Sequence, residues 1–437
     1  MIGGALALAA TLSDAPAPSA AAPAPPAPRR LTLGEAEDLA RRNNPRIALS
    51  RLNALASQQV AREVNAALYP TLYAYLTAVA AHEGGRISAG AISNPAIYDR
   101  AAGGVTVNQL ITDFGRTPNL VAGARLHGEA DDQRALATLE EILLGVDQAF
   151  YNALEAAALQ RVAQQTVEAR RQVADRIHAL AGSKLRSELD ARFADVDLAE
   201  ARLLLLDADN GRQAALAALA TILGEGDGPP IEVVEESAPL EKPADDVGVL
   251  LAAAVARRPD LAALEFDARA AERLQLAERD LSLPSIRALG AAGGAPWRNE
   301  AISPWYGAIG VNVEIPVFNG FLFGARAKEA EYRAQASRQR LLEQKNEVVR
   351  DVKTAWLDAN AAYARLDVAR QLLDQSNAAL ELARSRYDLG LSSIVELSQA
   401  QLQQTRAEIG NAEAQYRYRV AQARLEYQVG GTGTPSP

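Results

Sequence analysis

The sequence predicts a mainly α-helical chain carrying two β-hairpins, built from one β-β-α-α unit used twice. Three observations lead there. Landmarks recur about half a chain apart: Asn44-Pro45 returns as Arg258-Pro259 and Tyr69-Pro70-Thr71-Leu72 as Leu283-Pro284-Ser285-Ile286, both 214 residues later. At an offset of 206, Val146-Asp147-Gln148-Ala149-Phe150 returns as Val352-Lys353-Thr354-Ala355-Trp356, Ser187-Glu188-Leu189-Asp190 as Ser393-Ile394-Val395-Glu396, and Leu223-Gly224 as Val429-Gly430. No proline lies between Pro118 and Pro229, or between Pro316 and Pro435. Just before each proline-free stretch, the hydrophobic period switches to two. Self-similarity of this kind sets the architecture before any single element is assigned. The one change of offset falls between the paired strands, where one connecting loop is shorter than its twin.

Taken in order, residues 1–30 form a leader. Ile2 to Ala10 is a short apolar run that fits a partial signal peptide lacking its basic flank, and fits a flexible Ala-rich tail equally well. Asp14 to Arg30 is Pro/Ala-rich and reads as extended chain. The first repeat spans 31–224, a linker or equatorial segment 225–245, the second repeat 246–430 and a tail 431–437. Strands are expected at about 70–82 and 103–112, and again at about 285–293 and 304–315. In the clearest, Ile309, Val311, Val313 and Ile315 face one way while Asn312 and Glu314 face the other, a period of two. Val105-Thr106-Val107-Asn108 alternates likewise. Gly-rich loops at Glu83–Ala101 and Gly293–Ser303 would join the strands, with Phe114, Phe318, Phe321 and Phe323 at the strand ends and Trp297 and Trp305 near the opposite loop.

Long helices follow at about 117–181 and 186–223, and at about 321–388 and 393–429. Val352, Ala359, Leu366, Leu373, Leu380 and Tyr387 recur every seven residues, interleaved with Val349, Trp356 and Tyr363. That repeat marks a coiled-coil-like seam. Leu143, Val146, Phe150 and Ala153 open the same pattern in the first half. Breaks are expected at Ala181-Gly182-Ser183-Lys184 and Leu389-Gly390-Leu391-Ser392, where a glycine ends one helix and Ser187 or Ser393 caps the next.

Composition narrows the function. Hydrophobic residues make up 49% but aromatics only 5%, which suits long Ala-rich helices packed side by side better than a compact globule. The net charge of −9 leaves no electrostatic footprint for nucleic acid. With no cysteine there is no disulfide framework, thiolate metal site or lipid-bearing Cys. His82, His127 and His178 are far apart with no metal-ligand spacing. The glycine pairs Gly84-Gly85 and Gly293-Gly294 lack the lysine and the strand–helix context of a phosphate loop. No enzyme, cofactor or metal site is expected.

The element order, with Asn44-Pro45, Tyr69-Pro70, Asp113-Phe114-Gly115-Arg116, Ile315-Pro316-Val317-Phe318-Asn319-Gly320 and Gly390-Leu391-Ser392-Ser393-Ile394, resembles the outer-membrane efflux protein (TolC-like) family from Leu31 to Gly430. The resemblance implies a homotrimer in which each protomer gives four strands to a shared twelve-stranded membrane β-barrel on a long α-helical periplasmic tube. It implies an exit duct for a tripartite efflux pump or type I secretion system, in contact with outer-membrane lipid, a periplasmic adaptor (membrane fusion protein) and an inner-membrane transporter. Asn312 and Glu314 would then face the lumen. Where the family places two acidic residues one helical turn apart at a periplasmic gate, this chain has Glu396 and Gln399, with Asp190 as the repeat-related partner of Glu396. Gln for the second acid removes one ring of charge. The turns Gly182-Ser183-Lys184-Leu185 and Gly390-Leu391-Ser392 would be adaptor-docking tips. The alternative is a soluble scaffold or spacer of long coiled coils, which accounts for the heptads but not for strand pairs at matching positions in both halves.

Overall fold

A computed structural model describes residues 29–80, 98–226, 228–235 and 239–431. The expected leader up to residue 28, most of the loop expected at Glu83–Ala101 (with His82 before it) and the tail from 432 lie outside the described residues. A short β1 (Arg29–Leu31) leads into α1 (Leu33–Asn43), α2 (Pro45–Ala66), β2 (Thr71–Val79), β3 (Arg100–Thr112), α3 (Arg116–Gly182) and α4 (Glu188–Leu223). The second half runs β4 (Ile231–Val233), α5 (Val247–Arg257), α6 (Pro259–Arg279), β5 (Ser285–Arg298), β6 (Trp305–Glu314), α7 (Leu322–Asp388) and α8 (Ile394–Val429). The two copies match in length: α3 and α7 are each 67 residues, and α4 and α8 each 36. At about 1.5 Å per residue the longer helices reach about 100 Å.

Helix ends follow their sequence signals. Thr32 and Glu35 form a capping box on α1, and Asn44 caps α2 with Pro45 in its first turn. The heptad positions Val352, Ala359 and Tyr387 are buried, as are Leu143, Val146, Phe150 and Ala153 in the first half. Helices α4 and α8 both end on a left-handed glycine, Gly224 (φ +78°) and Gly430 (φ +108°). A Cβ on Gly224 would lie 2.5 Å from the Asn43 carbonyl oxygen, and one on Gly430 would lie 2.7 Å from Arg257 Cβ. Each hairpin therefore returns to a helix–helix corner, and the residue at that corner satisfies its last carbonyls. Asn44 Nδ2 donates to Ile222 O at 2.7 Å, and Arg258 Nη1 donates to Gln428 O at 3.4 Å and to its side-chain oxygen at 2.5 Å. Two different side chains do one task.

The described residues of the segment 225–245, expected as a linker or equatorial segment, are strapped to the helices. Residues Arg29 and Arg30, expected in the leader, pair with them: β1 lies parallel to β4 from Arg29↔Ile231 to Leu31↔Val233. A three-residue strand with a partner 200 residues away has no local pattern to betray it. Trp356 Nε1 donates to Ala244 O at 2.7 Å, Tyr416 OH to Glu235 at 3.1 Å, and Tyr418 OH to Glu241 O.

The sheet is antiparallel in the order β2-β3-β5-β6, so among the described residues β2 and β6 each lack a neighbour on one side. Register fixes the faces, because residues directly opposite in an antiparallel pair point the same way. Val313↔Ile286, Val311↔Ala288, Ile309↔Gly290↔Val107↔Leu72 and Gly103↔Leu76 share one face. That face is apolar apart from Gln109, opposite Ala288, and bare: Leu76 and Ile309 are each 94% exposed. The other face carries Thr71, Tyr73, Tyr75, Thr106, Asn108, Arg287, Asn312, Glu314 and Tyr306.

Strand lengths depart from expectation at the glycines. β5 continues through Gly293-Gly294-Ala295-Pro296 to Arg298, so most of the expected loop Gly293–Ser303 is strand and Trp297 lies inside it. The register shift between Ala101 and Gly103 marks a bulge opposite Ala295 and Pro296, where a proline costs the ladder no hydrogen bond. The Tyr306 ring lies across Gly104 and Gly293, where a Cβ on either glycine would strike it, and so covers backbone that has no side chain of its own. β3 likewise starts at Arg100 and β2 ends at Val79.

Gly224→Ala should lower the apparent melting temperature, with about 1–2 kcal/mol of cost from the left-handed backbone alone. Gly211→Ala, inside α4 with open space around it, should instead stabilise by roughly 0.5–1 kcal/mol. A thermal melt of both variants beside the unmodified protein checks the pair.

Candidate functional site: the hairpin tips

Both hairpins turn by the same local geometry. Lys184 (φ +58°) and Gly390 (φ +75°) occupy matching left-handed positions. The following amide then reaches back to the helix end, Leu185 N to Leu180 O at 2.9 Å and Leu391 N to Arg386 O at 2.8 Å. The expected terminator Gly182 is not the turning residue. It is the last residue of α3, and the left-handed position two residues on belongs to a lysine. Ser187 and Ser393 cap α4 and α8 as expected, accepting from the amides of Asp190 and Glu396 at 3.1 and 3.3 Å. Both acids therefore sit in the first turn of a helix, where the dipole favours a carboxylate.

Beneath the turns, Ala174 and Ile177 of α3, Ala191 and Ala194 of α4, Tyr387 of α7 and Ile394 and Leu397 of α8 form one apolar cluster. Above it Leu185, Leu389 and Leu391 project into solvent. Polar links radiate from the last turn of α7. Arg386 Nη1 is 3.6 Å from Glu396 Oε1, and Arg176 Nη2 is 3.3 Å from Asp388 Oδ1. Arg186 donates to the Tyr387 carbonyl and stacks its guanidinium 4.2 Å from the centre of the Tyr387 ring. Burial pushes the Tyr387 phenol up, the Asp190 carboxylate adds to the rise, and Arg186 opposes it.

Two of the three gate residues read from the sequence thus gather on one turn: Glu396 against Arg386, and Asp190 beside Tyr387. Gln399 points elsewhere. It lines a groove of about 480 Å³ between α4 and α8 with Phe193, Val196, Leu402 and Ile409. Across that groove Ser398 Oγ donates to Asp197 at 2.5 Å. At the far end of the molecule, Asn312 and Glu314 lie on the polar face of β6 with Arg287 opposite Asn312. Glu314 and Arg287 share a cavity of about 190 Å³ with Asp113, Arg116 and Asp280, where the sheet meets the helices.

Sequence reasoning missed Arg176, Arg186, Arg386 and Asp388, and took Tyr387 only as a heptad position. A signal existed. Arg386-Tyr387-Asp388 stands where the first repeat has Leu180-Ala181-Gly182, so the copies differ at the turn that carries the links.

Two long helical hairpins hung from a four-stranded sheet with one bare apolar face define an outer-membrane efflux protein fold. The chain belongs to the outer membrane efflux protein family, whose model matches residues 37–225 and 250–431. It is 24% identical to outer membrane protein TolC of Salmonella enteritidis over 122 residues, which span 28% of this chain and 25% of that protein's length. Among solved structures, CusC superimposes with a TM-score of 0.80 at 20% identity, covering 91% of this chain and 92% of that one. The MtrE outer membrane channel of Neisseria gonorrhoeae, in its open state, gives 0.76 at 22% identity, covering 91% and 89%. At these identities the structural likeness establishes the fold. Family membership places the protein in the outer membrane.

Lys184→Gly should stabilise the first tip by up to about 1–2 kcal/mol, because it removes a side chain from the left-handed region. Arg186→Ala should loosen both tips, losing about 0.5–1 kcal/mol of cation–π contact beyond its hydrogen bond. Limited proteolysis at 183–186 and 389–392 reads both effects: slower cleavage in the first variant, faster in the second.

Proposed function

We propose that the chain is one protomer of a homotrimeric channel, a passive exit duct for a tripartite efflux pump or type I secretion system. The observation that carries this reading is the sheet: four strands, two free edges, one apolar face and one polar face. In a bilayer an unpaired strand edge is not tolerated, so three copies pairing β6 of one with β2 of the next would close twelve strands into a barrel. Ile309, Val311 and Leu76 would then meet lipid, and Asn312, Glu314 and Tyr306 the lumen. The long helices would continue the barrel as a tube in the periplasm. A soluble coiled-coil spacer has no use for such a sheet.

The tips are the proposed meeting point with a periplasmic adaptor and, through it, an inner-membrane transporter. Their solvent-facing leucines at 185, 389 and 391 support this, since apolar side chains at the end of a rod are ready for a partner. Glu396 is the proposed gate residue. Three copies would form a ring of carboxylates at the narrow end, each held by its own Arg386, and such a ring favours cations. Gln399 contributes no charge, and Asp190 acts through Tyr387. The proposed opening breaks the Arg386–Glu396, Arg176–Asp388 and Arg186–Tyr387 links. The two exposed ion pairs are worth about 0–1 kcal/mol each and the cation–π contact about 0.5–1 kcal/mol, weak enough for a docking adaptor to exchange.

The protein should fractionate with the outer membrane and run as a detergent-resistant trimer; a soluble monomer or dimer would overturn the assembly. In planar bilayers its conductance should show cation preference that weakens in Glu396→Gln. Selectivity unchanged in that variant would remove Glu396 from the gate.

A further inference from the structure

Three carboxyl groups from three helices meet at the opposite end of the α3–α8 seam from the tips. They are Glu37 of α1, Asp147 of α3 and Glu426 of α8. Glu37 and Asp147 are within hydrogen-bonding reach, with Glu426 close enough to act on both. Asp147 Oδ1 is buried and has no hydrogen-bond donor among the described residues. Asp147 and Glu426 line a cavity of about 20 Å³, the size of a water, with Glu140 and Tyr427 beside them. The surrounding groups answer only part of this charge. Arg41 pairs with Glu37 at 3.3 Å next to Asp38, and Gln422 donates to Glu426 at 3.2 Å. Tyr151 and Arg419 complete the surroundings.

Nothing in the fold requires these acids. The repeat-related positions are Leu251 for Glu37, Lys353 for Asp147 and Ala220 for Glu426, and in each case the opposite half builds the same element with that residue. Two carboxylates in hydrogen-bonding reach repel unless one proton is shared between them. We propose that Glu37, Asp147 and Glu426 form a proton-dependent latch on the α3–α8 seam, closed by a shared proton and loosened when it leaves. Asp147 holds the proton and Glu37 accepts the hydrogen bond. Burial, with the charges of Glu37 and Glu426, pushes Asp147 up to about 8. Loss of the proton leaves three negative charges facing one another across three helices, and water entering the cavity would ease them apart. The latch's bearing on gating rests on the channel reading above; the latch itself does not.

The sign is set by which state holds the proton. Between its ordinary value of 3.8 and about 8, folded Asp147 keeps a proton that the unfolded chain has lost, so stability falls as pH rises and levels off above about 8. The test is the apparent melting temperature of the full-length protein in detergent, at fixed scan rate, from about pH 5 to about pH 9.5. Beside it, bilayer conductance is recorded across the same range. In the unmodified protein the melting temperature should decline to about pH 8 and conductance should rise through about pH 8. Asp147→Asn, which mimics the protonated acid, should match it at pH 5, exceed its melting temperature above pH 8, and show no conductance step. Glu37→Gln serves where that substitution impairs folding: the break in the melting curve should move about a unit or more to lower pH. Melting curves of the same shape in all three proteins would overturn the latch. A protein that shows the melting behaviour but conducts at no pH would keep the latch and overturn the channel instead.

Discussion

Unpaired backbone is the constraint on which the rest of the structure depends. Among the described residues, strands β2 and β6 each bond to a single neighbour, so a row of amides and carbonyls is open on both sides of the sheet. In lipid each such group costs several kcal/mol. A protomer with a bare apolar face and open edges therefore calls for copies of itself. The same requirement gives sense to the apolar side chains left exposed along the helices, such as Leu203 and Leu206 on α4 and Leu357, Val368 and Leu372 on α7. On a free-standing bundle they would be an aggregation hazard. In the proposed trimer they would be surfaces for adjacent helices.

The helical part was legible because its signals are local and sustained. Proline-free stretches over 100 residues long, a heptad seam and serine caps at matching positions define helices whose ends lie within a few residues of those signals. The sheet was legible where side chains alternate, as from Ile309 to Ile315, and illegible where the sequence is glycine. Gly293-Gly294 reads as a loop in isolation. It is a strand because Tyr306 from β6 and the backbone of β3 close over it, and neither contact is near in sequence. The β1–β4 pairing failed for the same reason.

At the tips the misreading was of a different kind. Gly182 looked like the turning residue because glycine tolerates left-handed backbone, but the hydrogen-bond geometry of the turn decides which position goes left-handed. That position is Lys184. Alignment of the two repeats held the answer, since Gly390 lies 206 residues after Lys184 and not after Gly182. Asp190 and Glu396 were placed correctly at helix starts, but their companions were not seen. Arg176, Arg186 and Arg386 are ordinary surface arginines until the hairpins are laid side by side.

Duplication then separates frame from function. Where the two halves agree, as in the 67- and 36-residue helices, the serine caps and the left-handed glycines, the shared residues build the scaffold. Asn44 and Arg258 show that the scaffold tolerates different chemistry for one task. Where the halves disagree without any effect on the scaffold, the difference is free to serve something else. Two such places stand out, and α3 reaches both. At one end Arg176 of α3 pairs with Asp388, in a turn that replaces Leu-Ala-Gly by Arg-Tyr-Asp. At the other, Asp147 of α3 faces Glu37 and Glu426, where the second copy has Lys353. The 29 positions between Asp147 and Arg176 span about 45 Å of a single helix. Between them α3 is held by buried apolar contacts, Phe150, Ala153, Leu154 and Ala158 beyond Asp147 and Ala174 and Ile177 beside Arg176. The proposed latch and the proposed gate are thereby joined by one continuous helix of the first repeat, at positions where the second repeat carries different residues.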